Sequence, residues 1–316
     1  MENKLPHFSD IENAYVRICN LINKTPVLKS STINSFFKND FYFKCENFQK
    51  VGAFKFRGAS NAVSLLSQEH LKNGVATHSS GNHAAALALA ASSKGAKSYI
   101  VMPNNSPQIK KNAVKDYGAE IIFCEPTLKA REETLNEIVN KTGATFIHPY
   151  NNFNIICGQG TCAMEFLKEI PDLDYLFVPL GGGGLLSGSL ISAKAINPKI
   201  KVIGCEPAGA NDAYLSLKSG KFVASEKPKT IADGLLTSLG TITYEIIMNN
   251  IDDIFTASEG NIILAMRTIW ERMKIIVEPS SAVPLACIIE NFKNVEHKKI
   301  GIIISGGNVD LSKLPF

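Results

Sequence analysis

Lys44-Cys45-Glu46-Asn47-Phe48-Gln49-Lys50-Val51-Gly52-Ala53-Phe54-Lys55-Phe56-Arg57-Gly58-Ala59 is the stretch around which the rest of the chain is organised. At its centre, Lys55 lies between two aromatic residues and is followed at Arg57 by a cation. Desolvation and like charge both push such an ammonium toward the neutral amine, the form that attacks an aldehyde. Lys55 is therefore a candidate Schiff-base lysine. Most lysines merely lay their stems over neighbouring apolar groups, so this reading needs support from elsewhere in the chain. Phe41-Tyr42-Phe43-Lys44 reads as a strand leading into the stretch, and Gly58 to Leu66 as the helix that follows it. Lys55 then sits near a strand-to-helix junction.

Working outward, Asp10 to Ile22 carries apolar residues at helical spacing, and Thr25-Pro26 ends that helix. From Val75 onward, short apolar strands alternate with helices. Val75–Thr77 precedes an alanine-rich helix from Asn82 to Ser93, and Ser98–Met102 precedes a helix from about Ser106 to Tyr117. Glu120–Cys124 precedes one from about Thr127 to Lys141, and Thr145–His148 closes the set. A turn-rich stretch at Pro149–Asn154 marks a boundary, after which come the strands Tyr175–Leu180 and Lys201–Glu206, a helix from Gly260 to Lys274, and a last strand, Lys299–Ser305. This alternation predicts an α/β protein of two lobes, each a mostly parallel sheet flanked by helices. Small ligands bind in clefts between such lobes.

Composition narrows the function. The 316 residues, 45% hydrophobic and 20% charged, are ordinary for a soluble globular protein. The net charge of +4 is spread over scattered lysines, so no basic face for nucleic acid is expected. The 7 cysteines are odd in number and form no C-x-x-C pair, which speaks against a disulfide framework or a zinc site and for a reducing compartment. Met1 to Asp10 is polar and contains Pro6, and no apolar run approaches a membrane span, so a cytoplasmic protein is expected.

Three further segments carry chemistry. Gly181-Gly182-Gly183-Gly184-Leu185 follows a strand and precedes a helical run, which lets successive amides point at one anion near a helix N-terminus. It is a phosphate cup. Neither G-x-G-x-x-G with a downstream acid nor a Walker lysine is present, so a dinucleotide or nucleoside triphosphate is the weaker source of that phosphate. Ser79-Ser80-Gly81-Asn82-His83 joins a strand to the alanine-rich helix. One of its serines can serve as the helix cap, and the group as a whole can receive a carboxylate and a phenolate oxygen. Ser305-Gly306-Gly307-Asn308 puts a neutral hydroxyl at the carboxyl end of the last strand.

These motifs, in this order and together with Thr230-Ile231-Ala232-Asp233-Gly234, resemble the fold-type II, tryptophan synthase β-like, pyridoxal-phosphate enzymes over roughly Ile18 to Leu311. Within them the likeness is to the family of serine racemases and serine, threonine and 3-hydroxyaspartate dehydratases, with the racemases nearest. The resemblance implies a large cofactor-binding domain from 1-72 and 149-316, a small substrate-closing domain over 73-148, and a homodimer. It implies that Lys55 holds pyridoxal phosphate and moves the substrate Cα proton on one face. Phe54 would pack on the ring, Asn82 would bond its phenolic oxygen, and the amides of Gly181, Gly182, Gly183, Gly184 and Leu185 would hold the phosphate. Ser305 would face the ring nitrogen, and Gly234 and Glu278 fall in cofactor-contacting segments.

Ser80 would be the second acid or base on the opposite face, which a racemase needs and an elimination from one enantiomer does not. Threonine dehydratases of the bacterial type typically read Ser-Ala-Gly-Asn-His where this chain reads Ser-Ser-Gly-Asn-His. Ser79, His83, Arg131 and Thr237 would meet the substrate, although His83 and His148 also suit structural histidines. Glu206, the carbonyl of Ala210 and Asp212 match the divalent-cation site of serine racemases and suit magnesium, calcium or manganese outside the cofactor pocket. Some racemases bind ATP between subunits. Lys50, Lys110 and Tyr117 could contribute to that here, but Ala85 stands where the nucleotide-activated racemase has glutamine. The function so implied is serine racemase with L-serine dehydratase activity, or else threonine or L-threo-3-hydroxyaspartate dehydratase. A non-catalytic pyridoxal-phosphate carrier or a nucleotide-binding regulator is the reading from another class.

Overall fold

Among the described residues there are ten strands: β1 (Val27–Leu28), β2 (Asp40–Cys45), β3 (Val75–His78), β4 (Ser98–Pro103), β5 (Glu120–Cys124), β6 (Thr145–Phe146), β7 (Tyr175–Pro179), β8 (Lys201–Pro207), β9 (Asp253–Ala257) and β10 (Lys299–Ile304). In this computed structural model, which describes residues 5–106, 108–293 and 295–316, they form two sheets. The larger has six strands in the order β1-β2-β10-β7-β8-β9, antiparallel only between β1 and β2. The smaller has four parallel strands in the order β5-β4-β3-β6. Of the polar opening Met1 to Asp10, residues 1–4 lie outside the described residues, as does Pro107 near the start of the helix expected from Ser106.

Side-chain alternation explains why both faces of the large sheet are covered. Phe41, Phe43, Ile300, Ile302 and Ile304 enter one core with Val283 and Met266. Tyr42 and Ile303 point the other way, into a core with Leu176, Leu190 and Phe166. On the small sheet, Val75, Ile100 and Met102 pack with Leu87 and Ala91 of the helix Asn82–Ser92, while Ala76 and Val101 face a separate cluster with Leu135. The first of these clusters also takes in Ile18, Phe56, Ala59 and Val63, so the helix Lys55–Ser64 packs against the small sheet's helical layer.

Three elements differ from the sequence reading. The N-terminal helix spans Phe8–Ile18 and stops short of Ile22. Thr25 beyond it donates its hydroxyl to Glu46 at 2.5 Å within a buried charge cluster. The helix read over Gly58 to Leu66 begins earlier, at Lys55. The boundary at Pro149–Asn154 ends in a helix, Phe153–Glu169, whose first turn is capped by Asn152 accepting from the Ile155 amide at 3.0 Å. Among the described residues, no helix is long and apolar enough to cross a membrane.

Candidate active site

Lys55 is positioned by the backbone on both sides of it. After β2 the chain makes two short 3-10 turns, Glu46–Phe48 and Lys50–Gly52, with Val51 in the left-handed region at φ 57. Ala53 then bridges Gly306 antiparallel, the Phe54 amide donates to the Ser305 carbonyl at 2.9 Å, and the Gly307 amide donates to the Gly52 carbonyl at 2.9 Å. These bonds fasten the start of the Lys55 helix to the end of β10. Lys55 Nζ donates to the Pro149 carbonyl at 3.0 Å and lies 5.1 Å from the centroid of the Phe54 ring. Desolvation lowers its pKa from 10.5 to about 8, with Glu278 pulling the other way.

Like charge does not act on Lys55 as its sequence neighbours suggest. Arg57 is fully buried, but it faces Glu46 at 2.7 Å and Glu165 at 2.8 Å, and Lys44 pairs with Glu165 at 2.8 Å. Two cations matched by two carboxylates leave little net field at Lys55. The cluster instead anchors the Lys55 helix, because removing one partner of a buried pair costs about 3–5 kcal/mol.

The other motif residues converge on the same cavity, about 540 Å³ in volume, at the carboxyl ends of β3, β6, β7 and β10. Ligands of open α/β sheets bind at such ends. Ser79, Ser80, Asn82 and His83 line it from one side, and Gly181 to Leu185, Gly234, Thr237, Glu278 and Ser305 from the other. Neither serine caps the helix as the sequence allowed. The N-cap is Gly81, with no side-chain cap, and Ser79 Oγ only accepts from the Gly81 amide at 3.4 Å. The Ser80 hydroxyl has no hydrogen-bond partner among the described residues.

Asn82 donates to both oxygens of Glu278, at 2.9 and 3.1 Å, and accepts from Asn308 at 3.0 Å. Burial pushes the Glu278 carboxyl up to about 7. Ser305 is 3% exposed, its Oγ 3.0 Å from that of Ser281 in the first turn of the helix Pro279–Asn291. His83 pairs through Nε2 with the Ile147 carbonyl at 3.3 Å, and burial with the charge of Lys55 holds it well below the usual histidine range. Nδ1 of His148 accepts from the Asn151 amide at 2.9 Å, and burial lowers this imidazole to about 4. Both are neutral near pH 7.

Gly183 has φ +87, a left-handed position, and Gly184 opens the 13-residue helix Gly184–Ile196. A Cβ on Gly182 would fall 2.4 Å from the Tyr150 ring. The loop thus needs glycine for its fold as well as for exposing amides at a helix N-terminus. Gly234 donates its amide to Ser280 Oγ at 3.0 Å. Arg131 enters the cavity from the helix Leu128–Thr142, its Nε buried without a partner among the described residues, and Thr237 and Tyr150 also line it.

Glu206, Ala210 and Asp212 lie together outside this cavity. Glu206 accepts from the amides of Ala213 and Tyr214 at 3.2 and 2.8 Å, and Asp212 opens the helix Asp212–Ser219 with a buried Oδ2 that has no partner among the described residues. Burial raises Glu206 to about 8, with Asp212 adding to it, and raises Asp212 to about 6. Two desolvated carboxylates with an orphaned oxygen fit a hard cation completed by waters. Among the described residues no group of three or more histidine, cysteine or acidic side chains could hold a metal, which leaves no transition-metal site of that kind.

Of the residues matched to nucleotide contacts, Lys110 is paired with Asp233 across the cavity rim, and Lys50 Nζ lies 5.6 Å from the Phe56 ring centroid. Tyr117 packs beside the small sheet's core and Ala85 is buried in it. The sequence reading had no independent signal for Tyr150 or for the Lys110–Asp233 pair. Glu278 was reached only through the family resemblance.

A desolvated amine and a glycine loop lining one cleft between two mostly parallel sheets define an α/β enzyme built to hold a phosphorylated aldehyde. The chain belongs to the pyridoxal-phosphate dependent enzyme family, whose model matches residues 18–306. It is 50% identical over 309 residues to a serine racemase of Dictyostelium discoideum, covering 96% of this chain and 95% of that one. It is 46% identical over 312 residues to a beta-hydroxyaspartate dehydratase of Paracoccus denitrificans, covering 99% of both. Maize serine racemase superposes with a TM-score of 0.96 at 43% identity, covering 98% of this chain and 95% of that one.

Proposed function

We propose that this protein is a pyridoxal-phosphate-dependent serine racemase that also dehydrates L-serine to pyruvate and ammonia. The observation that carries the reading is one cavity lined by a desolvated lysine, Lys55, and by Ser80, whose hydroxyl is not spent on the helix cap. The identity to a serine racemase over nearly the whole chain supports it. Lys55, Phe54, Asn82, the loop from Gly181 to Leu185, Gly234, Glu278 and Ser305 would hold the cofactor. Bound pyridoxal phosphate would supply the electron sink that makes the substrate Cα proton acidic.

The chain's own groups then divide the work. The N-terminus of the helix Asn82–Ser92, with Ser79 and His83, would receive the substrate carboxylate, and Arg131 would close on it from the small sheet's side. Residues 73-148 would move as the closing lobe. Lys55 Nζ would take the Cα proton on one face. In racemisation the Ser80 hydroxyl would return a proton to the other face, giving D-serine. In dehydration the β-hydroxyl, near Thr237, would leave as water, and the enamine would take up water to release ammonia and pyruvate. A neutral hydroxyl at Ser305, facing the ring nitrogen of the bound cofactor, would donate no charge to protonate it, which would favour these outcomes over transamination.

Glu206, Ala210 and Asp212 would hold magnesium or a similar divalent cation in a structural, activating role. With none of the seven cysteines in a disulfide among the described residues, the reading fits a cytoplasmic enzyme, and it implies a homodimer. Activation by ATP is not part of it, given Ala85 and the engagement of Lys110 with Asp233. A second reading, L-threo-3-hydroxyaspartate dehydratase, is favoured by the Paracoccus relative and by the unpartnered Nε of Arg131, which could meet a second carboxylate.

Incubation with L-serine, L-threonine and L-threo-3-hydroxyaspartate, with and without magnesium, discriminates these readings, with D-serine followed by chiral chromatography and keto acid by a coupled assay. Magnesium-dependent D-serine is expected. Keto acid from hydroxyaspartate alone, with no D-serine, would make the protein a dehydratase.

A further inference from the structure

Ser281 lies against Ser305, and nothing in the proposed chemistry uses it. It is the third residue of the helix Pro279–Asn291, and its amide donates to the Glu278 carbonyl at 3.0 Å. It is fully buried and, unlike Ser280 and Ser305, is not among the residues that line the cavity. The end of β10 comes close to this helix because Gly306 carries no side chain: a Cβ there would fall 2.8 Å from Glu278 Oε1 and 3.1 Å from Ala53 Cβ. Ser281 Oγ reaches both backbone groups of Gly306, donating to the carbonyl at 2.6 Å and accepting from the amide at 2.7 Å. Its third neighbour is Ser305 Oγ, 3.0 Å away.

Counting protons gives the direction of that third bond. A hydroxyl has one proton to donate and two lone pairs to accept with. The Gly306 carbonyl can only accept, so it takes the Ser281 proton, and the Gly306 amide can only donate, so it takes one lone pair. What Ser281 has left for Ser305 is the other lone pair. The Ser305 hydroxyl therefore donates to Ser281, away from the cavity, and offers its own lone pairs to a group inside it. The reverse direction would require Ser281 to give up the shortest of its three bonds, the one to the Gly306 carbonyl. A serine without such a neighbour would be free to turn its proton into the cavity.

We propose that Ser281 fixes Ser305 as a hydrogen-bond acceptor toward the cofactor, and so raises the share of bound pyridoxal phosphate whose ring nitrogen carries a proton. This deepens the reading given above, in which Ser305 faces that nitrogen, and rests on it. An acceptor bonds a protonated nitrogen and leaves an unprotonated one facing lone pairs. Because this acceptor is uncharged, it holds the proton less firmly than a carboxylate would, and the nitrogen exchanges between the two forms. The charged groups that line the cavity with Ser305 are Lys55, Lys110, Arg131, Asp233 and Glu278, and the variants below leave all of them in place. A protonated ring is the stronger electron sink, so Ser281 would increase the acidity that the cofactor gives the substrate Cα proton. Ser281 is a positioning residue, since it acts through Ser305.

The test is nitrogen NMR of the full-length holoenzyme at one fixed pH, loaded with pyridoxal phosphate that carries the heavy nitrogen isotope in its ring. The resonance of that nitrogen reports its protonated share without any turnover. Wild type is compared with Ser281→Ala, Ser281→Thr and Ser305→Ala. The wild-type resonance is expected to lie toward the protonated limit. Ser281→Ala, which frees the Ser305 proton, should lower the ratio of protonated to unprotonated nitrogen about fivefold or more. Ser281→Thr keeps the hydroxyl and should hold the wild-type ratio. A merely structural serine would cost thermal stability in Ser281→Ala and leave the resonance in place. That result, or a wild-type resonance at the unprotonated limit, overturns the proposal alone when Ser305→Ala does move the resonance. Should Ser281→Ala hold no cofactor, the wild-type resonance decides by itself. A resonance that Ser305→Ala leaves unmoved overturns the reading of Ser305, and the proposal with it.

Discussion

Glu206 and Asp212 are held in the fold with carboxyl pKa values raised from 4.5 to about 8 and from 3.8 to about 6. Without divalent ions the folded state therefore binds these protons more tightly than the unfolded chain does. Their contribution to stability is full below about pH 4 and is lost as pH rises through about 6 and then about 8. A cation competes with the protons and favours the ionised pair, so its stabilisation grows across the same window. Thermal midpoints in EDTA should fall from about pH 5 to about pH 8.5, while magnesium should widen its advantage by about 5 °C or more over that range. A magnesium effect independent of pH would remove these two residues from a cation site. At this scale the sequence was informative where a residue's chemistry depends on its immediate neighbours. Lys55 between two phenylalanines read correctly as a desolvated amine. Arg57 was misread as a like charge acting on it, because its partner Glu165 is 108 residues away in the chain.

The glycine loop is the element on which the proposed cofactor site depends most. A Cβ at Gly182 meets the Tyr150 ring and cannot be accommodated without moving it. Gly182→Ala should cost about 1–3 kcal/mol of stability through overpacking, and it should loosen the cofactor. Gly260, exposed near the start of the helix Glu259–Met273 with open space around it, is the contrast. Gly260→Ala should leave stability unchanged or raise it by up to about 1 kcal/mol. Urea unfolding of the two variants measures both, and equal midpoints would mean that the loop tolerates a methyl group it has no room for here. Strands and the alanine-rich helix were legible because each has a clear apolar run or period. The helix Phe153–Glu169 was not, since it is buried nearly all round and so has no amphipathic stripe. Its Gly160 packs directly on Gly188, an arrangement that looks like loop composition in sequence.

At the scale of the whole molecule, two mostly parallel sheets bring segments from far apart in the chain to one cleft, and Lys110 with Asp233 joins its rims. The alternation of strands and helices made the two-lobed α/β fold readable. Motif order then brought the lysine, serine and glycine segments together in expectation. What sequence could not convey was the traffic between them: the bond of Asn82 to Glu278 and the sharing of a core between the Lys55 helix and the small sheet. The central claim is that Lys55 and Ser80 serve opposite faces of one substrate. Its most direct test is Ser80→Ala holoenzyme given L-serine, with D-serine and pyruvate measured in the same reaction. Loss of a positioned acid or base lowers a rate by about 100-fold or more. D-serine formation should fall by that factor while pyruvate formation stays within about tenfold of wild type. Equal losses of both products would contradict the account and reduce Ser80 to a binding group.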